Sequence, residues 1–217
     1  MLAPELTSNP SFINGSHPAN NINMFNWETD EPFVPEPHKI SENVFVIGAS
    51  KKSGNVTQEN IYNLADSLDL IKDQFDYVFI DSPPTAGTLQ HAALSISDAV
   101  LIVTQPQALS VKGVHQLMTT TRQVQRRLNP DLKLLGVLVN LVKRPPSKNQ
   151  LENETTLREQ YGNIIFPTNL YDTVRVGEAL EAGKSLAEFN PAAADKFGFT
   201  ACCEEFIERL EANEVSA

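Results

Sequence analysis

A single carboxylate at the end of an apolar run is the first feature of this 217-residue chain that can do chemistry. The run, residues 77–80, is aromatic and β-branched, which predicts a strand buried on both faces of a parallel sheet. Asp81 follows it directly, before a Ser-Pro-Pro turn. Open α/β sheets bind ligands at the carboxyl ends of their strands, so Asp81 is placed to hold the water shell of Mg²⁺ in a nucleotide site. The alternative is an Asp that merely caps a strand.

The segments that must position Asp81 alternate between apolar runs and amphipathic stretches. Strand and helix alternate at least four times, which predicts a mostly parallel β-sheet flanked by helices on both faces, with right-handed crossovers. Thr57 is the predicted cap of the first helix. The predicted strands are residues 44–47, 77–80, 99–104, 132–142 (broken at Gly136) and 164–166, and the predicted helices are 57–73, 89–96, 110–128, 155–161, 174–182 and 192–212.

Residues 1–40 differ in character from the rest of the chain. They are rich in Asn and Pro and show no sustained strand or helix period, which predicts an extended or disordered segment. Phe25 and Trp27 are the side chains that can fix this segment to the body of the protein. Residues 41–217 are predicted to form one α/β domain.

Composition limits the class of protein. A hydrophobic content of 41% and a charged content of 20% are ordinary for a soluble globular chain. We find no run long enough to span a bilayer and no signal-peptide layout, and the two cysteines are neighbours, so a cytoplasmic location is expected. The net charge of −10 is concentrated in the two ends, which argues against a protein that coats nucleic acid over its whole surface but permits a local basic patch.

From about residue 43 to residue 210 the chain resembles the ParA/MinD family of deviant Walker-type ATPases, which partition plasmids and chromosomes or position cellular cargo. The resemblance rests on an ordered set of segments. Residues 75–84 resemble the family's Walker B strand and the turn after it, and residues 97–103 resemble its next strand. Residues 110–113 and 127–130 resemble the start and the exit of the helix that follows. Residues 135–140 resemble the strand that ends in an adenine-reading Asn, and residues 174–183 resemble the late Arg-x-x-Glu-Ala…Gly segment.

The resemblance implies a role for several residues. ATP and Mg²⁺ would be the cofactors, with Asp81 as the Mg²⁺-water ligand and Asn140 as the adenine contact. Arg144 and Arg175 would contact the phosphates of DNA without reading its sequence. The alternatives are a turn-forming Asn and solvated arginines, and Asp172, where relatives carry a basic residue, weakens the interpretation as a DNA contact.

The same resemblance implies the partners. Relatives form an ATP-dependent homodimer that binds DNA non-specifically and is released by hydrolysis that a partner stimulates. A homodimer, a ParB-like or cargo-adaptor protein and possible nucleoid association are therefore expected here, with no membrane contact.

The chain departs from the family at the phosphate-binding loop. Neither Gly-x-x-x-x-Gly-Lys-Ser/Thr nor the deviant Lys-Gly-Gly-x-Gly-Lys-Thr occurs in it. In the nearest stretch, residues 49–57, Lys51 would match the signature lysine and Thr57 the Mg²⁺ ligand. Val56 stands at the position of the essential lysine, and Lys52, Ser53 and Asn55 replace the glycines.

Two explanations account for this departure. Either residues 49–57 are a decayed phosphate loop, or residues 43–50 match the later strand before Walker B and the phosphate-binding half is absent. We favour the second, because no acidic strand end follows Thr57 before the Walker B run. Whether the chain is an ATPase is thus left open. A ParA-like partitioning ATPase and a non-catalytic pseudo-ATPase that pairs with an intact relative or adaptor are the two hypotheses. A bacterial tyrosine-kinase-like domain is disfavoured because no Tyr follows Tyr171.

Overall fold

The computed structural model describes residues 22–25, 27, 31–48, 56–57, 60–82 and 87–214. They fall into two units, one within residues 1–96 and one within residues 97–217. The division into 1–40 and 41–217 stays a prediction. In the described part of the chain, no helix combines the length and the apolar character that crossing a bilayer demands.

The first unit is built from short elements around a small apolar core. Its core holds Met24, Phe25, Val56, Ile61, Leu64 and Ala92. The elements are helix α1 (Ile22–Phe25), strand β1 (His38–Lys39), strand β2 (Phe45–Val46), helix α2 (Ile61–Asp69), a 3₁₀ turn (Lys72–Gln74) and helix α3 (Thr88–Ile96).

The described residues around Phe25 and Trp27 contact this unit, as these two side chains indicated. Phe25 is buried in the core. The indole Nε1 of Trp27 donates to the hydroxyl of Ser67 at 3.0 Å, and that hydroxyl donates in turn to the carbonyl of Met24. Because Ser67 is itself buried, this chain of hydrogen bonds satisfies a polar group inside the core.

Two strand predictions in this unit were wrong. Residues 77–80, with Tyr77 53% exposed, lie outside the regular strands of the described chain. The run predicted over 44–47 is instead a two-residue strand, β2, paired antiparallel with β1 and partly exposed. An apolar run becomes a buried central strand only when other strands flank it and helices cover it. Among the described residues, the sheet of this unit is the two-stranded β1–β2, so it has no central strand.

The second unit carries the parallel sheet. β3 pairs in parallel with β4 through a helical crossover, and Ile165 forms a parallel bridge on the other side of β4. The elements are strand β3 (Ala99–Thr104), helix α4 (Ser110–Arg127), strand β4 (Lys133–Val139), helix α5 (Lys148–Tyr161), a 3₁₀ turn (Gly162–Ile164) and helices α6 (Val174–Glu181), α7 (Leu186–Phe189), α8 (Pro191–Lys196) and α9 (Phe199–Glu214).

The core of the second unit explains why these elements form. α4 buries Val114 and Met118 on one face, four residues apart, against Val137 and Val139 of β4. Full burial of each such side chain stabilises the fold by about 1.5–3 kcal/mol. The predictions for α3, β3, α4 and α6 are confirmed to within a residue or two, except that Leu128 at the end of α4 is exposed.

Three boundaries differ from prediction because of single residues. β4 is not broken at Gly136, since it absorbs a register shift there as a bulge. α5 begins at Lys148, seven residues early, because Ser147 and Gln150 form a capping box. The closing helix divides into α8 and α9 at Gly198. This residue has a φ of +86°, which glycine adopts without strain, and a Cβ here would collide with the carbonyl of Asn169.

Candidate nucleotide and DNA site

Asn140 lies at the carboxyl edge of the parallel sheet, directly after β4. Its backbone N–H donates to the carbonyl of Thr104 at 2.7 Å, so the ends of β3 and β4 lie side by side. Its side-chain Oδ1 accepts from the N–H of Leu141 at 2.8 Å, and Leu141 has a φ of +56°. The turn-forming role is therefore present. The Nδ2 group remains as the donor that an adenine edge could use.

Arg144 is engaged within the protein. Its guanidinium carbon lies 3.5 Å from the centre of the Tyr171 ring, and Nη1 donates to the carbonyl of Lys196 at 2.8 Å. Stacking on an aromatic face and a backbone hydrogen bond both restrict the side chain. Arg144 thus fastens the loop after β4 to the end of α8, while remaining exposed.

Arg175 lies in the first turn of α6, which the hydroxyl of Thr173 caps by accepting from the Arg175 N–H. Its Nη1 pairs with Glu178 Oε2 at 2.6 Å, and the side chain is 50% exposed. A parallel bridge between Val142 and Tyr171 places the loop that carries Arg144 beside the segment that leads to α6. Arg144, on the loop after β4, and Arg175, in the first turn of α6, therefore lie on neighbouring segments.

Further basic side chains sit on exposed positions of the same unit. Arg122, Arg126 and Arg127 are exposed on the C-terminal half of α4. Lys143 is exposed as well, and Lys148 forms a long, solvent-exposed ion pair with Glu152 at 3.7 Å. Such exposed charges suit a solvated surface and a phosphate-contacting surface equally.

A polar network that the sequence did not reveal lines a cavity in the second unit. Arg158 donates to Glu154 at 2.9 Å, to Asn169 at 2.8 Å and to the carbonyl of Phe166 at 3.2 Å. Asn169 donates back to Glu154 at 2.8 Å, which closes the network. Together with Arg144 and other residues it lines an open cavity of about 490 Å³. The four-residue spacing of Glu154 and Arg158 was the available signal, but the helix was predicted to start at 155.

The predicted ligands for phosphate and Mg²⁺ lie in the first unit. Asp81 is exposed and follows residues 77–80, which lie outside the helices and strands of the described chain. The hydroxyl of Thr57 donates to Asn60 Oδ1 at 2.7 Å and does not cap α2, which begins later, at Ile61. Lys51 lies outside the described residues. The described residues hold no group of three or more His, Cys, Asp or Glu that could bind a metal ion.

Val56 is a core residue of the first unit. It is 6% exposed and packs with Phe25 and Ile61, and it aligns with the essential lysine of the deviant loop if residues 49–57 are a decayed form of that loop. A lysine ammonium cannot occupy that apolar site without losing its hydration. The donor set of this chain does not fit a triphosphate, because the sequence lacks the glycine-rich loop with its lysine. In the decayed-loop alignment, the lysine position is in addition a core position.

Known proteins similar to this chain include partitioning ATPases. Residues 28–134 match a family model described as an AAA domain. The chromosome-partitioning ATPase Soj of Thermus thermophilus is 31% identical over 137 residues, which cover 63% of this chain and 55% of Soj. The chromosome partitioning protein ParA of Caulobacter vibrioides is 28% identical over 165 residues, which cover 74% of this chain and 61% of ParA. The chain is therefore similar to partitioning ATPases of the ParA/MinD type.

Solved structures show the fold of this chain. An ATP complex of a McdA variant from Cyanothece matches with a TM-score of 0.65 at 22% identity, covering 77% of this chain and 66% of McdA. The cell division ATPase MinD of Pyrococcus furiosus matches with a TM-score of 0.58 at 15% identity, covering 92% of this chain and 77% of MinD. The predicted α/β class of P-loop NTPase type is confirmed. The chain spans about half the length of the curated relatives, for example 46% and 55% of two of them.

Proposed function

We propose that this chain is a ParA-like partitioning or cargo-positioning protein that acts as a binding module and does not hold ATP by itself. The observation that supports the proposal most is that the sequence contains neither form of the phosphate-binding loop. Such a loop needs successive backbone N–H groups and an ammonium at the start of a helix. In the nearest stretch, residues 49–57, the side chain that would align with the lysine is Val56, which is buried in the core of the first unit and carries no charge.

The other candidate ligands are consistent with this proposal. Asp81 would be the ancestral ligand of Mg²⁺, and a lone exposed carboxylate binds a hydrated divalent cation weakly. Asn140 keeps a donor for adenine, but a contact to the base does not replace the contacts to the phosphates.

Calorimetric titration of the purified chain with ATP and Mg²⁺ tests the proposal. We expect no detectable heat from a sample whose circular dichroism shows it folded, under conditions in which Thermus thermophilus Soj serves as the comparison. Tight binding that Asp81→Ala weakens would overturn the proposal, because it would mean that residues 51–57 still cradle phosphate.

A second role, non-specific DNA binding, is supported by Arg175. This side chain is half exposed at the start of α6, and exposed arginines lie on α4 of the same unit. Contacts of this kind go to phosphates and give no sequence preference. We propose Arg175 as the principal DNA contact, with Arg144 contributing less because its guanidinium is held by Tyr171 and Lys196.

The partners belong to the same proposal. We propose that the chain pairs with a second copy or an intact relative and with a ParB-like or cargo-adaptor protein, in a nucleoid-associated cytoplasmic setting. Sedimentation velocity across a concentration series, with and without ATP, would measure the self-association. A mass that doubles only with ATP would contradict the absence of nucleotide binding.

A further inference from the structure

The open cavity in the second unit has no role in the function proposed above. It has a volume of about 490 Å³ and is lined by α5, by residues 167–171 and by the junction of α8 and α9. This volume lies within the range of ligand pockets, roughly 300–1,000 Å³. Charged side chains of both signs line it, the cations Arg144, Arg158 and Lys196 and the anions Glu154 and Asp195.

The two acids of the cavity are engaged within the protein. Oε1 of Glu154 accepts from Arg158 at 2.9 Å and from Asn169 at 2.8 Å. Oδ1 of Asp195 accepts from the hydroxyl of Thr200. Arg158 is thus neutralised by Glu154, and its contacts hold the wall of the cavity together.

The other two cations, Arg144 and Lys196, form no ion pair with a carboxylate among the described residues. Arg144 is nevertheless held in place, by the Tyr171 ring and by the carbonyl of Lys196. These contacts use one face and one N–H of the guanidinium, so that Nε and Nη2 remain as donors. The N–H of Tyr171 donates to the carbonyl of Phe197 at 3.1 Å, which joins the two walls. An incoming anion therefore meets a guanidinium whose position is already fixed.

We propose that this cavity binds an acidic side chain, Asp or Glu, in a segment of a partner polypeptide. This inference rests on the proposed function in one respect, since it takes the chain to be a module that binds a partner protein. The carboxylate of the partner would accept hydrogen bonds from Arg144 and Lys196. Such charge-assisted bonds are about twice as strong as neutral ones, and a fixed planar guanidinium matches the geometry of a carboxylate.

The acids in the walls favour a peptide over a nucleic acid. Both hydrogen bonds that Glu154 accepts from the described residues go to Oε1, which leaves Oε2 as an acceptor. A backbone N–H of a peptide can donate to it, because a peptide carries donors as well as acceptors. Phosphates only accept, and the negative charges of Glu154 and Asp195 would oppose them. Arg175, the proposed DNA contact, does not line the cavity.

NMR spectra of the full ¹⁵N-labelled chain test the inference, because chemical shifts detect the weak binding expected of a short peptide. The probe is a pentapeptide of alternating Gly and Glu, acetylated and amidated at its ends, and the comparison peptide carries Gln in place of Glu. We expect the acidic probe to shift the amide signals of Thr168, Tyr171 and Gly198, which line the cavity. The Gln peptide should bind about tenfold more weakly.

Variants of the full chain separate the cavity from the general charge of the surface. Lys196→Gln removes the ammonium but keeps the backbone carbonyl that holds Arg144, so it should weaken binding about threefold and leave stability unchanged. Arg144→Gln should weaken binding about tenfold. Lys143→Gln is the matched control, because Lys143 is exposed on the same loop and does not line the cavity, and it should bind like the native chain. Circular dichroism confirms that each variant is folded.

The inference is overturned if the acidic probe moves no signals or moves signals elsewhere. Equal losses from Lys143→Gln and Lys196→Gln would overturn it too, as would a Gln peptide that binds as well as the acidic one. A single-stranded DNA oligonucleotide that displaces the probe would assign the cavity to phosphates. The proposed function fails separately, if titration with ATP and Mg²⁺ shows tight binding. A silent ATP titration together with an inert acidic probe would remove the cavity inference alone.

Discussion

The guanidinium of Arg209 occupies the space that a side chain on Gly136 would need. A Cβ built on Gly136 would stand 2.5 Å from Arg209 Nη1 and 2.5 Å from the carbonyl oxygen of Ile164. Nη1 instead donates to the carbonyl of Leu135 at 2.8 Å, while the guanidinium stacks 4.4 Å from the centre of the Phe166 ring. The bulge in β4 and the last helix of the chain are thus fitted to one another.

Gly136→Ala should destabilise the chain by about 3 kcal/mol, because it combines an unfavourable φ of +147° with a collision against backbone. Urea denaturation followed by circular dichroism measures the change in the free energy of unfolding. Gly113→Ala is the matched control. Gly113 lies inside α4 with open space around it, so that change should stabilise by about 0.5–1 kcal/mol. Equal effects of the two substitutions would contradict the role given to Gly136.

Arg209→Lys should lower the free energy of unfolding by about 2 kcal/mol although it preserves the charge. The planar guanidinium donates to Glu205 and to the carbonyls of Leu135, Ile164 and Asn163, and an ammonium cannot reach these acceptors together. Thermal unfolding would measure the loss. Arg126→Lys, at an exposed position of α4, should stay within about 0.5 kcal/mol of the native chain. Indistinguishable melting temperatures would show that the fork of hydrogen bonds is not needed.

Val56→Lys separates the two explanations for the missing phosphate loop. If Val56 is a core residue of an unrelated loop, the substitution should cost about 2–4 kcal/mol in stability and create no ATP binding. Val34→Lys, at an exposed position of the same unit, should cost less than about 0.5 kcal/mol. Calorimetry with ATP and Mg²⁺ on both variants gives the answer. ATP binding gained by Val56→Lys would mean that residues 49–57 are a decayed phosphate loop after all.

Arg175→Ala and Arg144→Ala should affect different quantities. Removing Arg175, whose protein contact is a surface ion pair, should weaken binding to a random DNA duplex and reduce the slope of log affinity against log salt by about 0.9. Removing Arg144 should lower the melting temperature, because Tyr171 loses its stacking partner and Lys196 its donor. Fluorescence anisotropy at several salt concentrations and thermal unfolding distinguish them. An unchanged salt slope for Arg175→Ala would remove it as a phosphate contact.

The two neighbouring cysteines should react at very different rates. Burial beside Phe166 and Leu170 raises the pKa of the Cys202 thiol to about 11, while Cys203 is exposed. At pH 8 only about one Cys202 in a thousand is a thiolate, so iodoacetamide should label Cys203 first. Mass spectrometry of Cys203→Ser and Cys202→Ser chains assigns the fast phase. A fast phase that survives Cys203→Ser would contradict the burial of Cys202.

The raised pKa of Cys202 makes the free energy of unfolding depend on pH. The folded state keeps the Cys202 proton to a higher pH than the unfolded state does, so its contribution is complete below about pH 9 and is lost as the pH rises towards 11. The difference in unfolding free energy between the native chain and Cys202→Ala should therefore shrink over that interval. A constant difference would show that the thiol does not titrate in this way.

The sequence by itself determined the features that depend on local pattern and on residue chemistry. The strand at 99–104, the helices at 88–96 and 110–127 and the α/β class followed from apolar periodicity, which adjacent residues carry. The absence of the phosphate-loop motif can be read directly from the sequence and does not depend on the fold. The resemblance to the ParA/MinD family followed because the segments occur in a fixed order along the chain.

The tertiary structure alone decided which of these features are used, since burial and fit depend on residues far apart in the chain. Residues 77–80 carry a strand-like pattern, but a pattern cannot provide the flanking strands that would bury it. Val56 proved to be a core residue through contacts with Phe25, and Gly136 proved necessary through Arg209, 73 positions later in the numbering. Arg144 holds the loop after β4 against α8 because it contacts both the Tyr171 ring and the Lys196 carbonyl. Such long-range contacts have no period in the sequence, and so they appear only when the chain is folded.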